Sequence, residues 1–537
     1  MNQLEKCHYI EGCSDVFIDA FRAFKHKTID SRNAFILTHY HADHWCGLPR
    51  GKGYTGPAKI HCTPATAKLL KEIHQINDSF IVQHEYEVTW THGRAEITFY
   101  DANHCPGAAL LFCKVATENA SSFVYHLHTG DMRFHQKFKS YSLIKEAVEK
   151  KQLDILYLDT TYAKPKHTFL PQDEAIHKIA SEVKELLSSN DEIVSEKKQS
   201  FFQPKAKSHE TPKATERTLV LLSCYSIGKE KVLWHSAVQS NQLVYVNKSK
   251  HKMLECIECS SHIEEANGII NRCTLNKQDS DLHVIQMGTA GSLHPYFQPN
   301  FEECALYAHR MNKGYSKVVA FIPTGWAESS NYNKKNARSA KAVNLKELIK
   351  GSKINGNHDV MQVEVRLCAY SEHSTYNELR DCVEFMKPKR IIPTVFSGEK
   401  DYIAIQKRFC DLLDSQRAKQ AFISKLAGAF TIGVKRKVDA SSVTEPHQER
   451  KNLAWKDIPL PPRKKSPIEG SFKRTDCKVT KKIQVPRQLR APRPMIVDDW
   501  KVAQLVNMGF TSTVASDSLI SKNNNLEMAI EWLLLRK

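Results

Sequence analysis

No run of residues approaches the roughly 18 uninterrupted apolar positions that a membrane-spanning helix needs, so no membrane partner is expected. The opening, Met1 to His8, has no apolar core followed by small residues, and no secretory leader is expected. The 15 cysteines are odd in number and lack framework spacing, which argues against a disulfide scaffold and for a reducing compartment. An ATP-binding phosphate loop is missing as well. Gly228-Lys229 invites that reading, but Ser223 stands where the motif needs glycine and Glu230 replaces its Ser or Thr. Acidic residues are in deficit: 77 Lys and Arg face 59 Asp and Glu, a net charge of +18, the sign expected of a protein that meets a polyanion.

What is present begins with length. At ~150 residues per domain, 537 residues make three or four domain equivalents. The charge is uneven, because residues 431–495 hold 17 Lys or Arg against 6 Asp or Glu, +11 of the total. That stretch also carries Pro461-Pro462, Pro467, Pro486, Pro492 and Pro494 with few clustered apolar residues, so it reads as a disordered basic linker. Lys435-Arg436-Lys437 and Arg463-Lys464-Lys465 within it resemble nuclear-import or nucleic-acid patches, and a nuclear protein is expected. A polar stretch at 188–216 reads as a surface insertion.

Ahead of the linker, short apolar runs starting at Ala34, Ile155, Leu219 and Val318 look like buried strands, and Ala175 to Leu187 and Asn377 to Met386 like amphipathic helices. The bulk is therefore α/β. Beyond the linker, helical spacing from Trp500, a break at Met508-Gly509-Phe510, and further segments from Thr513 and Leu526 predict a small three-helix bundle.

The densest chemical signal is Thr38-His39-Tyr40-His41-Ala42-Asp43-His44, directly after the strand beginning at Ala34. An extended chain puts His39 and His41 on one side, and a turn after Ala42 swings Asp43 and His44 toward a neighbouring ion. Asp101-Ala-Asn-His104-Cys-Pro-Gly107 and His128-Thr-Gly-Asp131 add ligand types at two more strand ends. Imidazole nitrogen and carboxylate oxygen suit Zn²⁺, and a carboxylate can bridge two ions about 3.5–4 Å apart, a role for which Asp131 is the candidate. Cys105 reads as packing, and a lone Cys256-Ile-Glu-Cys259 without a matched pair is weak evidence for a second zinc site.

These strings carry a family resemblance. His39-x-His41-x-Asp43-His44, His104-Cys-Pro-Gly and Thr129-Gly-Asp131 resemble the metallo-β-lactamase fold. Leu158-Asp159-Thr-Thr-Tyr162, Ser226-Ile-Gly-Lys229, Pro323-Thr-Gly-Trp326 and Tyr370-Ser-Glu-His373 resemble its β-CASP branch, and within it the DNA cross-link repair nucleases, the Apollo/Artemis group, over about residues 10–430. The resemblance implies a metallo-β-lactamase αββα sandwich (1–162 and 351–430) with an inserted β-CASP α/β domain (163–350), followed by the linker and a C-terminal module at 496–537. It implies one metal on His39, His41, His104 and Asp131 and a second on Asp43, His44, Asp131 and His373, with Asp19 and Asp159 orienting ligands from behind. Asp43, His44, Asp131 and His373 would thus be the catalytic residues of phosphodiester hydrolysis.

The resemblance also bears on substrate. RNA-processing β-CASP enzymes typically carry a histidine where this chain has Val395, which points to DNA and leaves RNA as the nearest alternative. A 5′ exonuclease must hold a terminal phosphate with hydroxyl, backbone and cationic donors. Ser371 and Thr324 match the group's phosphate pocket, and Lys250 or Lys229 is the candidate cation. The expected partner is single-stranded DNA or DNA with a free 5′-phosphate, processed in interstrand cross-link repair. The C-terminal module resembles a ubiquitin-associated domain, with Met508, Gly509, Phe510 and Leu534 as candidate contacts to ubiquitin. A non-catalytic ubiquitin and DNA adaptor is the alternative of a different class, and the intact ligand set argues against it.

Overall fold

A computed structural model describes most of residues 3–414, with breaks at 23–28, 50–53, 55, 57, 120, 203–216, 259–267, 294–296, 326, 328–337 and 349–358. Beyond 414 it describes only 512–521 and 529. The basic linker and the residues Met508, Gly509, Phe510 and Leu534 lie outside the described residues. Of the expected bundle, the helix Ser512–Ser521 is described. Among the described residues no helix is long and apolar enough to cross a membrane.

Two sheets face each other. The first runs in chain order, β1 (Tyr9–Ile10), β2 (Cys13–Ile18), β3 (Ala34–Ile36), β4 (Lys59–Cys62) and β5 (Ile81–Gln83), with β2 to β5 parallel. The second contains β6 (Thr89–His92), β7 (Ala95–Asp101), β8 (Ala109–Ala116), β9 (Phe123–His128) and β10 (Leu153–Leu158). Alternating inward residues of both sheets, Val16, Ile18, Ala34 and Ile36 against Ile97, Phe99, Leu111, Cys113 and Ile155, form the shared core. Outside, α1 (Pro64–Glu72) and α2 (Ser142–Glu149) turn their buried faces onto the sheets through Leu69, Leu70, Ile144 and Ala147. This is the expected αββα sandwich.

The chain then leaves it. After α3 (Gln172–Phe202) come β11 (Thr218–Cys224), α4 (Glu230–Ser240), β12 (Val244–Tyr245), α5 (Lys248–Ile257), β13 (Cys273–Thr274) and β14 (Leu282–Gln286). A short pair, β15 (Gly291–Ser292) and β16 (Gln298–Pro299), precedes α6 (Phe301–Arg310), β17 (Lys317–Thr324), β18 (Arg338–Asn344), α7 (Leu345–Leu348) and β19 (Val360–Ala369). Seven of these strands form a sheet in the order β13-β12-β14-β11-β17-β19-β18, parallel except for β18 at one edge. One face buries Leu219, Leu221, Val318 and Ala320 against α6, the other Val220, Leu222 and Phe321 against α3 and α4. A strand covered on both faces must be apolar throughout, which is why β11 and β17 read as continuous runs.

Two expected boundaries shift. The polar stretch 188–216 is not all insertion, because α3 continues as one helix to Phe202. The return to the sandwich falls after Ala369 rather than at 351, because β19 pairs with β17 and β18 inside the seven-stranded sheet. Only then do α8 (Tyr376–Met386), β20 (Arg390–Pro393) and α9 (Glu399–Phe409) follow, and β20 pairs parallel with β10 to complete the second sheet of the sandwich. A capping box on Thr375 and Glu378 starts α8.

Candidate metal centre

The predicted ligands sit just beyond C-terminal strand ends: His39 to His44 after β3, His104 after β7, Asp131 after β9 and His373 after β19. Asp19, after β2, and Asp159, after β10, occupy the same edge. Asp19 takes the left-handed conformation (φ +49°), uncommon for a residue with a Cβ but accessible to aspartate. Its carboxylate accepts from Thr38 N–H at 2.9 Å, Thr38 Oγ1 at 2.7 Å and His44 Nδ1 at 2.7 Å. Gly130 (φ +52°) lets the Thr-Gly-Asp turn pass Thr38, where a Cβ would come within 3.0 Å of the threonine.

The inner atoms converge. His41 Nδ1 lies 2.9 Å from His39 Nε2 and 3.0 Å from His104 Nε2. Asp131 Oδ2 is 3.2 Å from His44 Nε2, 3.8 Å from His39 Nε2, 3.9 Å from His104 Nε2 and 4.0 Å from His373 Nε2. The structure therefore gathers His39, His41, His104 and the Cys105 thiol in one group, and groups Asp131 with His39 and His44 and again with His104 and His373. Asp43 stands at the rim, its side chain 58% exposed and its carboxylate 3.8 Å from His44 Nε2. It belongs to none of the tight groups.

Each imidazole has an outer partner. His41 Nε2 donates to the Ile227 carbonyl at 3.1 Å and His104 Nδ1 to the Glu372 carbonyl at 2.9 Å. His44 Nδ1 donates to Asp19, and His373 Nδ1 to Asp159 Oδ2 at 2.8 Å. His39 Nδ1 donates to Thr38 Oγ1 at 3.0 Å, whose own proton goes to Asp19. These partners set the tautomers and leave the inner nitrogens as lone pairs. Lone pairs held about 3 Å apart repel unless a cation lies among them, and imidazole with carboxylate is the donor set of a transition-metal site. The residues fit a metal centre.

Charge tells the same story. Burial opposes a proton on His44, yet Asp131 and Asp19 outweigh it and hold its pKa well above the ordinary value. Burial likewise opposes charge on His373, but Asp159 and Asp131 raise it to about 9. Burial and neighbouring imidazoles push His39 and His104 far down. Asp19 and Asp159 are both lowered, burial being overcome by His44 and His373 respectively. The carboxylates thus favour positive charge at the middle. Cys105 is buried, and burial drives its thiol far above the usual range.

The phosphate candidates divide. The Thr324 carbonyl, at the end of β17, accepts from Tyr370 N–H at 3.3 Å, and a Cβ on Gly325 would lie 3.1 Å from Ser371 Cβ and 2.6 Å from the Tyr162 hydroxyl. Thr324, Ser371 and Tyr162 are neighbours. Lys250 is not available: it is buried, bonded to Glu230 Oε1 at 2.7 Å and to the Ser226 carbonyl at 3.0 Å, because a buried ammonium must be paired. Lys229 is 4% exposed, and its Nζ lies 4.8 Å from the Tyr225 ring centroid and 5.4 Å from that of Tyr370. No carboxylate among the described residues forms an ion pair with it.

Three groups escaped the sequence reading. Glu372 lies inside a string that was read for its neighbours. The Ile227 carbonyl belongs to the backbone and leaves no signature. Arg133, buried to 1%, bonds Glu378 Oε1 at 2.9 Å, the Ser371 carbonyl at 2.7 Å and the Leu170 carbonyl at 3.0 Å, and its position two residues after Asp131 is the one hint.

Comparison with known proteins agrees with the geometry. The metallo-beta-lactamase superfamily model matches residues 22–134, which contain six of the seven predicted ligands, all but His373. The DNA repair metallo-beta-lactamase model matches 268–399, including His373, and a UBA/TS-N domain model matches 498–533. A segment of the chain thus matches the DNA repair metallo-beta-lactamase family. It is 31% identical over 417 residues to DNA ligase 6 of Arabidopsis thaliana, covering 76% of this chain and 25% of that one. It is 28% identical over 377 residues to the DNA cross-link repair 1A protein of Gallus gallus, 70% of this chain and 32% of that one. Similarity to the 5′ exonuclease Apollo of Gallus gallus is 25% over 381 residues, 70% and 60% of the two chains. The chain thus spans about a quarter to a third of the length of the first two relatives.

Proposed function

We propose that the protein is a metal-dependent 5′ exonuclease that hydrolyses phosphodiester bonds in DNA during interstrand cross-link repair, with Zn²⁺ as its metal. One observation carries the reading: Lys229, buried and without a paired carboxylate among the described residues, directly follows Gly228, which packs against His41 in a constellation of five imidazoles and one aspartate. A bound pair of divalent ions would supply Lewis acidity and an activated water there. His39, His41, His104 and Asp131 would hold one ion, and His44, His373, Asp131 and rim-lying Asp43 the other. Asp131 would serve both ions, since its Oδ2 lies within 4.0 Å of four imidazoles. Asp19 and Asp159 keep His44 and His373 in the tautomer that turns a lone pair inward.

Lys229, with the Ser371 and Thr324 hydroxyls, holds the terminal 5′-phosphate and so sets the direction of cleavage. Val395, 43% exposed at the end of β20, offers neither donor nor acceptor side chain to a 2′-hydroxyl, which supports DNA over RNA. The domain matched at 498–533 supports ubiquitin as a partner, and the basic segment at 431–495 supports a nuclear location and a tether that raises local concentration.

The test is Lys229→Met on strands bearing 5′-phosphate or 5′-hydroxyl. A hydrogen-bonded charge contributes about 1.5–3 kcal/mol, so the preference for phosphorylated ends should shrink by roughly ten- to hundredfold. An unchanged preference would remove Lys229 from the phosphate site.

A further inference from the structure

The loop from Tyr225 to Glu230, between β11 and α4, belongs to the seven-stranded sheet, yet it touches the centre built on the sandwich. Buried charges hold its backbone from several directions. Lys250 Nζ donates to the carbonyls of Tyr225 at 3.3 Å and Ser226 at 3.0 Å, and Glu230 accepts from Gly228 N–H at 2.9 Å. Lys229 N–H donates to the Glu372 carboxylate, and Tyr370 Oη donates to the same oxygen at 3.5 Å. Glu372 and Glu230 are 7% and 2% exposed. What the latched loop delivers is the Ile227 carbonyl, the acceptor for His41 Nε2–H.

Glu372 acts twice, because its own carbonyl accepts from His104 Nδ1–H. Two of the three imidazoles in the first group are thus oriented by groups that Glu372 supplies or fixes. Gly228 makes the approach feasible: its φ is +105°, and a Cβ there would lie 2.9 Å from Glu372 Oε2 and 3.6 Å from His41 Nε2.

We propose that Glu372 is a positioning residue that latches the Tyr225–Glu230 loop over the metal centre, so that metal affinity of the His39, His41 and His104 group depends on docking of this β-CASP loop. The inference rests on the metal-centre reading above. Linkage makes the effect reciprocal: a metal bound to those imidazoles strengthens loop docking by the same factor that docking strengthens the metal.

The experiment titrates Zn²⁺ between full-length protein and a chromophoric chelator, for wild type, Glu372→Ala, Gly228→Ala and Glu372→Gln, with melting of each metal-free chain. Outer partners of metal-bound imidazoles are worth about ten- to hundredfold in affinity, so Glu372→Ala and Gly228→Ala should each weaken Zn²⁺ uptake by that factor, beyond what any fall in the melting temperature of the metal-free chain accounts for. Glu372→Gln keeps an acceptor oxygen for Lys229 N–H and should recover most of the loss. Equal affinity in all four proteins would overturn the latch, as would a loss that tracks melting temperature without recovery in the glutamine variant. A wild-type chain that takes up no zinc would overturn the metal centre itself, and the latch with it.

Discussion

Replacing Asp19 by asparagine changes one oxygen to an NH₂ group and probes the ligand geometry without cutting a ligand. Asp19 accepts three hydrogen bonds, from Thr38 N–H, Thr38 Oγ1 and His44 Nδ1. The amide oxygen of asparagine can keep the first. Its NH₂ then faces two groups that are donors in the native arrangement, so His44 must either lose its partner or move its proton to Nε2, the nitrogen 3.2 Å from Asp131. Either outcome spoils the inward lone pair. Loss of such an outer partner lowers metal affinity or activity by about ten- to hundredfold, equivalent to about 1.4–2.8 kcal/mol. The Thr38 hydroxyl also loses its acceptor, which loosens His39 through the 3.0 Å contact. The assay is Zn²⁺ competition together with hydrolysis of a labelled strand, with exposed Asp30→Asn as control. Wild-type affinity and rate in Asp19→Asn would refute the claim that these partners set the tautomers.

Other consequences can be checked alongside. Arg133→Met leaves Glu378 and the Ser371 and Leu170 carbonyls without their donor, and should cost about 3 kcal/mol in denaturant unfolding, the low end for a broken ion pair because Glu378 is partly exposed. Asp281, bonded to Arg217, Lys313 and Tyr315, has a pKa lowered despite burial, chiefly by the Lys313 and Tyr315 hydrogen bonds. A depressed carboxylate stabilises the fold above its unfolded value of about 3.9 and loses that contribution as pH falls through the folded value. Asp281→Asn should therefore be less stable at neutral pH and show a flatter acid limb in denaturation profiles. Phe510→Ala should abolish binding of ubiquitin to the full chain in calorimetry while strand cleavage stays intact, and no binding by wild type would remove ubiquitin as a partner.

The strand ends were legible because chemistry and hydrophobicity coincide there. The apolar run at Ala34 predicts β3, and the histidines after it could only follow a strand that ends in a polar cluster. The runs at Leu219 and Val318 gave away β11 and β17 because both faces of that sheet are covered. Lys250 shows where such reading stops. The need for a cation beside the phosphate suggested Lys250, but the fold brings Glu230 against it, and pairing across 20 residues of chain leaves no local pattern. Arg133 and Glu372 were missed for the same reason, since their partners lie 245 and 143 residues away. The limit of α3 was hidden by composition: the polar residues after Leu187 suit an exposed helix as well as an insertion.

The most direct measurement presents purified full-length protein with 3′-labelled DNA and RNA strands of one sequence, each with 5′-phosphate or 5′-hydroxyl, with and without chelator, beside Asp131→Ala. Stepwise shortening of 5′-phosphorylated DNA, lost on chelation and in the variant, is the expected result. Preference for RNA would contradict the role given to Val395, and chelator-insensitive cleavage, or none of either polymer, would contradict the metal-dependent exonuclease.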